Sequence, residues 1–257
     1  MKSSDNKNIY KALAPIYDDL MRDINYEDWA DFIDEVIQTH HPEAKTILEL
    51  GCGTGSFSIS LDELDFYDIS ATDFSDEMLD IAKTKAVFKK SNVKWKNLDF
   101  HKLSEDETDQ TFNVLLMLFD TINYIQNPED VVSVLQNLKK LMDDNAVLIF
   151  DFTTPTNSLA AEESLNEEGV SNQFYYRRKS YYLETERYHY NEFEIDEIDD
   201  DGEIVDQYQE VHRQKIYKLS EMKKMIKDAG FTIEGAYEGF DLIDANENSD
   251  RITMVLR

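Results

Sequence analysis

The stretch ILELGCGTG, Ile47 to Gly55, decides the fold class of this chain. It places three of the chain's 8 glycines, Gly51, Gly53 and Gly55, directly after an apolar run and before a helical pattern that begins near Phe57. Glycine at alternate positions lets the backbone turn sharply and approach a ligand, and the following helix N-terminus offers free N–H groups. The pattern indicates a nucleotide-type site, and a chance glycine-rich turn is the alternative.

The segment around this turn, residues 46–152, alternates short apolar runs with helix-period stretches. Its five runs are TILEL, FYDISATD, NVKWKNLDF, FNVLLMLF and AVLIFDF. Strands that are separated by helices need crossover connections, which are right-handed and build a parallel sheet covered on both faces. We therefore expect an α/β unit of five strands, preceded by two helices over residues 10–40 with a break near Asp23 to Asn25.

The sequence changes character after Asp151. Residues 174–217 are dense in tyrosine and charge, and a turn-forming Asp-Asp-Asp-Gly at Asp199 to Gly202 interrupts them. This composition predicts an inserted antiparallel β segment.

The remaining segment returns to the core pattern. Helical spacing runs from Leu219 to Ala229 with Gly230 as the stop, and two strands are expected at about Phe231 to Tyr237 and at Arg251 to Leu256. The predicted domains are therefore leading helices plus a cofactor-binding core over residues 1–152, an inserted β cap over residues 153–218, and a last helix with strands that complete the core over residues 219–257.

The composition limits the classes of partner. Acidic residues number 54 against 26 basic ones, and the formal net charge of −28 opposes nucleic acid and anionic membranes at long range. Cys52 is the one cysteine, so an internal disulfide and a multi-cysteine zinc site are excluded, and no His, Asp and Glu spacing predicts a metal site. The N-terminus has no signal-peptide core and no apolar run approaches the roughly 18 residues of a membrane span. We expect a cytoplasmic protein.

Asp73 strengthens the nucleotide interpretation. It closes the second apolar run 22 residues after Gly51, about where a carboxylate at the end of a second strand binds ribose hydroxyls. The dinucleotide fingerprint G-x-G-x-x-G would need a glycine where the chain has Ser56. A nicotinamide-dependent dehydrogenase is therefore the weaker alternative.

A set of motifs at the expected strand ends resembles the class I S-adenosylmethionine-dependent methyltransferases. These motifs are ELGCGTG at Glu49 to Gly55, ATDFSDEML at Ala71 to Leu79, NLDF at Asn97 to Phe100, FDTINYI at Phe119 to Ile125 and LIFDF at Leu148 to Phe152. The leading YKALAPIYDDLM and NYEDWADF and the late EVHRQKIY and MIKDAGF resemble a bacterial subgroup of small-molecule type with a β insertion after strand five. The resemblance implies a Rossmann-like doubly wound sheet of seven strands, mostly parallel with one antiparallel strand, N-terminal helices and an inserted antiparallel β subdomain.

The resemblance also implies S-adenosyl-L-methionine as cofactor and a set of cofactor-binding residues. They are Tyr10, Tyr17, Glu49, Gly51, Cys52, Gly53, Asp73, Phe74, Met78, Leu98, Asp99, Phe100, Leu118 and Phe119. Backbone at residues 51–53 is expected to lie against the methionine moiety, with Glu49 bonding to its amino group directly or through water. Asp73 is expected to bind the ribose hydroxyls, and Asp99 the adenine amino group. Tyr10 or Tyr17 is expected to bind the methionine carboxylate.

The chemistry needs few protein groups. A sulfonium methyl donor carries its own electrophile, so the protein aligns the acceptor and excludes water, and no enzyme nucleophile is required. A general base is needed only for a protonated acceptor, and the candidates are Asp120, Tyr124 and His212. Asn123, Tyr124 and His212 are candidate substrate contacts. A turn-capping role for Asn123 and a structural hydrogen bond for His212 are the alternatives.

The expected function is methyl transfer to a nitrogen or oxygen atom of a small molecule by in-line displacement. One alternative is an RNA or protein methyltransferase, for which Arg177 to Lys179 and the neighbouring tyrosines would form the docking face. Another is a module that binds the cofactor without catalysis. The sequence leaves the acceptor open, together with the choice between a monomer and a homodimer.

Overall fold

The computed structural model describes residues 10–103, 110–199 and 201–257, without the side chains of residues 162 and 163. The first nine residues, which contribute to the expectation of no signal peptide, and one residue of the turn at 199–202 lie outside the described ranges. Within those ranges no helix is long and apolar enough to cross a membrane.

The core of the fold is a seven-stranded sheet, counted over the described residues. Its strands lie in the spatial order β10-β11-β5-β4-β1-β2-β3. Six of these strands run in the same direction, and β11 runs antiparallel to them. The predicted doubly wound sheet with one antiparallel strand is confirmed. The bounds are β1 Thr46–Leu50, β2 Asp68–Asp73, β3 Lys94–Asn97, β4 Phe112–Met117, β5 Met142–Thr153, β10 Ile233–Glu238 and β11 Arg251–Leu256.

Helices cover both faces of this sheet. Their bounds are α1 Tyr17–Leu20, α2 Tyr26–His40, α3 Ser56–Asp62, α4 Asp76–Lys89, α5 Pro128–Lys139, α6 Pro155–Ser164 and α7 Leu219–Asp228. Strand alternation separates the two faces, since Leu115 packs in the cluster that contains α5 and α7 whereas Val114 and Leu116 pack in the cluster that contains α2 and α3. Because both faces are covered, a ligand is expected to bind at the carboxyl ends of the parallel strands.

Local capping fixes where the helices beside the site begin. The Asn25 side chain accepts hydrogen bonds from the amides of Glu27 and Asp28 at the start of α2, and Ser75 Oγ accepts from the Met78 amide at the start of α4. Both caps satisfy N–H groups that a helix leaves unpaired at its first turn. The expected break near residues 23–25 is thus the N-cap of α2.

A second, four-stranded antiparallel sheet, here called sheet B, lies between β5 and α7 in the chain. Its strands β6 Glu167–Ser171, β7 Phe174–Leu183, β8 Tyr188–Ile198 and β9 Ile204–Lys215 follow one another in space. The segment is not wholly β, because α6 precedes the sheet. The sequence did not predict this helix, because the residues after Pro155 carry no amphipathic stripe. Pro155 itself lies in the first turn, where proline is compatible with a helix.

The N-terminal segment packs on sheet B. A 3-10 turn over Ala14–Ile16 leads into α1, and Leu13 and Ile16 are buried against Phe193 and Ile195 of β8. The segment therefore lies over the carboxyl ends of the core strands, with sheet B behind it.

Candidate active site

One cavity opens at the carboxyl ends of β1, β2 and β4, beneath the N-terminal segment. Its wall is formed by the glycine turn, strand ends and aromatic rings: Tyr10, Tyr17, Tyr26, Gly51, Cys52, Gly53, Thr54, Ser56, Phe57, Asp73, Phe74, Met78, Asp99, Phe100, His101, Lys102, Phe119, Thr121 and Tyr124. This wall brings together most of the residues that the sequence predicts for the cofactor. Of the residues predicted for the acceptor or as a base it includes Tyr124, whereas Asp120, Asn123 and His212 lie outside it.

The three glycines of the turn serve different purposes. All have positive φ (Gly51 +73°, Gly53 +54°, Gly55 +74°), which favours glycine over other residues. A Cβ on Gly51 would lie 2.8 Å from Cγ2 of Thr121, and one on Gly55 would overlap the Trp95 ring. A Cβ on Gly53 would point into open space, with Tyr17 Cε1 nearest at 3.9 Å. Gly53 therefore leaves a cradle over which a bound group can lie against the backbone.

Asp73 is held rigidly beside this cradle. Its Oδ2 accepts from the Gly53 amide at 2.9 Å and its Oδ1 from the Ser75 amide at 2.9 Å, and the residue is 6% exposed. Burial raises the pKa of the Asp73 carboxyl, although the backbone hydrogen bonds from Ser75 and Gly53 oppose that rise. The carboxylate is aligned to accept further hydrogen bonds from a polyhydroxyl group in the cavity.

Three predicted cofactor residues lie behind the wall. Glu49 accepts a hydrogen bond from Ser58 of α3, and burial raises the pKa of its carboxyl to about 7. Leu98 and Leu118 pack in the two cores of the sheet, whereas the residues that follow them, Asp99 and Phe119, lie on the cavity wall. Direct contact is not open to these three side chains in this arrangement, and a water-mediated bond from Glu49 stays a prediction.

The roof of the cavity is the N-terminal segment, which is fastened on two sides. On the core side, Asp18 accepts from Thr54 Oγ1 at 2.6 Å and from Lys85 Nζ at 2.8 Å. On the other side, the Glu210 carboxylate of β9 accepts from the backbone amides of Tyr10 at 2.8 Å, Ala12 at 2.6 Å and Leu13 at 3.1 Å. Side chains from three distant parts of the chain thus close the roof.

The same carboxylate begins a hydrogen-bonded chain that ends in the cavity. His212 Nε2 lies 3.2 Å from Glu210 Oε2, Tyr124 Oη lies 3.2 Å from His212 Nδ1, and Tyr10 Oη donates to Tyr124 Oη at 2.7 Å. Burial alone would raise the pKa of Glu210, but hydrogen bonds from His212, Tyr10 and Ala12 outweigh it and lower that pKa. Burial raises the pKa of Tyr124 to about 12. An ionised Glu210 leaves the His212 proton on Nε2 and a free acceptor pair on Nδ1, facing the Tyr124 hydroxyl.

Two other residues that the sequence predicts for the acceptor site bond to other parts of the chain. Asn123 is fully buried and joins β5 to β9 through bonds with the Thr153 amide at 3.1 Å and the Lys215 carbonyl at 2.8 Å. Asp120 pairs with Arg251 at 2.7 Å, outside the cavity wall. Asn123 thus bridges two strands and does not cap a turn as the alternative had it, and its role as a substrate contact stays a prediction. Asp120 lies apart from the cavity wall.

Comparison with known proteins identifies the domain that carries this cavity. A family model described as "Methyltransferase domain" matches residues 47–145, the segment that holds the glycine turn, Asp73 and Tyr124. This match identifies residues 47–145 as a methyltransferase domain, and the chain is an S-adenosylmethionine-dependent methyltransferase. Its cofactor is S-adenosyl-L-methionine, and the dehydrogenase alternative is set aside.

Relatives of this methyltransferase match it along nearly its whole length. The putative methyltransferase YqeM of Bacillus subtilis is 26% identical over 254 residues, which are 95% of each chain. The crystal structure of an S-adenosylmethionine-dependent methyltransferase from Clostridium acetobutylicum has a TM-score of 0.78 at 23% identity, over 96% of this chain and 98% of that one. The sugar N-methyltransferase KedS8 from Streptoalloteichus has a TM-score of 0.72 at 15% identity, over 99% and 95%. The last two similarities are similarities of fold.

Several residues on the wall of this cavity are not among those predicted from the sequence motifs. They are Tyr26, Thr54, Ser56, Phe57, His101, Lys102 and Thr121. Proximity to the glycine turn or to Asp99 could have indicated most of them. Phe119 and Asp120 are consecutive residues with positive φ (56° and 61°), and no local sequence pattern predicts this strained turn. The turn places the Phe119 ring against the Trp29 ring, with the two centroids 4.7 Å apart.

Proposed function

We propose that this methyltransferase transfers the cofactor methyl group to a nitrogen or oxygen atom of a small molecule. The observation that carries the proposal is the closed roof, in which Glu210 of sheet B holds the amides of residues 10–13 over the cavity. A chamber enclosed on this side suits a small acceptor better than the surface of a macromolecule. KedS8, similar in fold, acts by its name on a sugar nitrogen.

The residues on the wall fit the cofactor in the order that the resemblance implies. The backbone of Gly51 to Gly53 would lie against the methionine moiety, in the space that a Cβ on Gly53 would otherwise fill. Asp73 would accept the ribose hydroxyls, and Asp99 with Phe100 would bind the adenine. S-adenosyl-L-methionine supplies an electrophilic methyl group, so the remaining task of the protein is to orient the acceptor and to remove its proton.

Tyr124 is the group that we assign to the proton transfer. The acceptor N–H or O–H would give its proton to Tyr124 Oη while Tyr124 gives its own proton to Nδ1 of His212, which lies 3.2 Å away. His212 would then carry both ring protons beside the Glu210 carboxylate, 3.2 Å from Nε2. In this arrangement Tyr124 touches the acceptor, whereas His212 and Glu210 act through it.

The test is release of the demethylated cofactor in the presence of defined acceptor classes. We expect turnover with a low-molecular-weight cell extract and none above background with tRNA or unfolded protein at the same cofactor concentration. Turnover with tRNA or protein alone would establish the macromolecular alternative. Cofactor binding with no turnover in any arm would leave the binding module as the better description.

A further inference from the structure

The inner face of sheet B is polar where it lies beside the roof of the cavity. Ser180, His189 and Asn191 are 3%, 4% and 8% exposed, and the Arg178 side chain is 15% exposed. Alternation along β7 and β8 turns these four side chains to the same face, away from exposed neighbours such as Arg177. Burying polar groups costs free energy unless they are hydrogen-bonded, so a polar inner face calls for a specific purpose.

Arg178 and Asn191 hold each other in a fixed orientation. Arg178 Nε donates to Asn191 Oδ1 at 2.9 Å, which directs the Asn191 amide nitrogen away from the guanidinium. The carboxylate nearest to Arg178 is Glu167, at 3.6 Å from Nη1. Among residues 10–103, 110–199 and 201–257, neither Nη2 of Arg178 nor Nδ2 of Asn191 has a hydrogen-bond partner. Two aligned donor groups are therefore left over on this face.

The charge of Arg178 is less fully compensated than that of two other cations near the cavity. Arg251 bonds to both Asp120 and Asp151, and Lys85 bonds to Asp18. Burial lowers the pKa of the Arg178 guanidinium, and Glu167, Tyr124 and Tyr17 oppose that effect only in part. The guanidinium carbon lies 5.5 Å from the centroid of the Phe193 ring, which packs with the His212 ring and with Leu13, so Arg178 lies on the face of sheet B that the N-terminal segment covers.

Neighbouring groups add hydrogen-bonding capacity without adding charge. Burial, and then Arg178 itself, lower the pKa of His189 to about 4, so this imidazole is neutral at physiological pH. Its Nε2 is 2.7 Å from Ser180 Oγ. In a chain with a net charge of −28, this half-buried guanidinium is a local attraction for an anion that the rest of the surface repels.

We propose that the methyl acceptor carries an anionic oxygen group, a carboxylate or a phosphate, that binds Arg178 and Asn191 on the inner face of sheet B. This inference deepens the proposed small-molecule function and rests on it. Nη2 of Arg178 and Nδ2 of Asn191 can donate to two oxygens of one planar or tetrahedral anion, which fixes direction as well as position. The acceptor is then anchored at sheet B, with its reacting atom toward Tyr124.

The acceptor can be classified without first being identified. A low-molecular-weight cell extract is passed over a strong anion exchanger at about pH 9, where α-amino groups are largely neutral and phenols are still protonated. We expect the retained fraction to support release of demethylated cofactor and the flow-through not to. Phosphatase treatment of the retained fraction separates the two sources, since it abolishes turnover of a phosphate ester and spares a carboxylate. Turnover confined to the flow-through would overturn the proposal.

Substitutions then assign the effect to Arg178. With the retained fraction, Arg178→Met should raise the apparent KM about 10- to 100-fold and change kcat less. Arg178→Lys should be intermediate, because it keeps the charge but not the planar group that can bond to Asn191 and to the anion together. Asn191→Ala is the second variant, to be used if Arg178→Met folds poorly. It keeps the Arg178 charge but removes the hydrogen bond that orients the guanidinium, so it too should raise the apparent KM. Arg177→Met is the matched control, since Arg177 is exposed on the outer face and pairs with Glu194.

The outcomes separate this proposal from the proposed function. A raised KM in Arg178→Met with unchanged cofactor affinity and an unchanged Arg177→Met supports the anion site. An Arg178→Met enzyme that keeps the wild-type KM overturns it while the small-molecule function stands. The absence of turnover with every fraction, with cofactor binding intact, overturns both.

Discussion

The carboxylate of Glu210 lies 3.2 Å from Nε2 of His212, its neighbour but one on the same strand. The other bonds of this carboxylate go to backbone amides some 200 residues earlier in the chain. One side chain therefore both fastens the roof of the cavity and orients the imidazole that contacts Tyr124. Closure of the roof and the orientation of the His212 imidazole are linked through a single side chain.

Replacing Glu210 by glutamine should loosen the roof. Gln keeps the shape but loses the charge, and its amide nitrogen cannot accept from the N–H groups of Tyr10, Ala12 and Leu13. Hydrogen exchange at these three amides should speed up about 10- to 100-fold at neutral pH, with core amides of β1 unchanged. Glu194→Gln, on the exposed face of sheet B, is the control. Unchanged protection of the three amides would refute the fastening role.

The pH dependence of this fastening follows from the lowered pKa of Glu210. A carboxyl whose folded pKa is lowered stabilises the folded state fully above its unfolded pKa of about 4.5 and loses that contribution as pH falls through the folded pKa. Wild-type amides of residues 10–13 should therefore lose protection only below about pH 4.5, and Glu210→Gln should lack this acid transition.

Replacing Glu49 tests a pKa shift of the opposite sign. Its carboxyl has a pKa of about 7 because burial disfavours the charged form, so the folded state holds a proton that the unfolded state has released. Stability of the cofactor-free protein should fall as pH rises from about 4.5 to 7 and then level off. Glu49→Gln, which can still accept from Ser58, should remove this fall, worth on the order of 3 kcal/mol in thermal melts. Parallel melting curves for the two proteins would contradict the assignment.

Replacing Asp73 should weaken cofactor binding and spare the fold. Asp73→Asn keeps one acceptor oxygen for the turn amides but loses the charge that we assign to the ribose hydroxyls. Calorimetric titration with S-adenosyl-L-methionine should show a loss on the order of 1.5–3 kcal/mol. Asp80→Asn on the exposed side of α4 is the matched control. Equal affinity in both variants would mean that Asp73 has another role.

The glycine turn offers a contrast between two single-methyl changes. Gly53→Ala places Cβ in the open cradle, so we expect reduced cofactor affinity with only the modest stability cost of a positive φ, about 1 kcal/mol. Gly55→Ala places Cβ against Trp95 and 2.9 Å from Ala82 Cβ, so it should lower the melting temperature more than it lowers affinity. The two glycines would be misassigned if both variants lost stability and affinity in the same proportion.

The sequence predicts those features of this protein that depend on residues close together in the chain. Alternating apolar runs and helix-period stretches predict the seven strands because side-chain periodicity reflects local backbone geometry. Gly51 to Gly55 and Asp73 were recognisable because backbone freedom and a strand-end carboxylate act within one βα unit.

Tertiary structure alone decided which distant groups meet at the cavity. Glu210 and Arg178 lie in a sheet of mixed tyrosine and charge, where the inward or outward direction of each side chain depends on strand pairing and register. Tyr10, which bonds to Glu210, and Tyr124, which contacts His212, come from other elements of the chain, and Asp120 pairs with Arg251 of β11. The residues proposed for the cofactor could therefore be predicted from the sequence, whereas those proposed for the acceptor are brought together by contacts across the fold that no local pattern encodes.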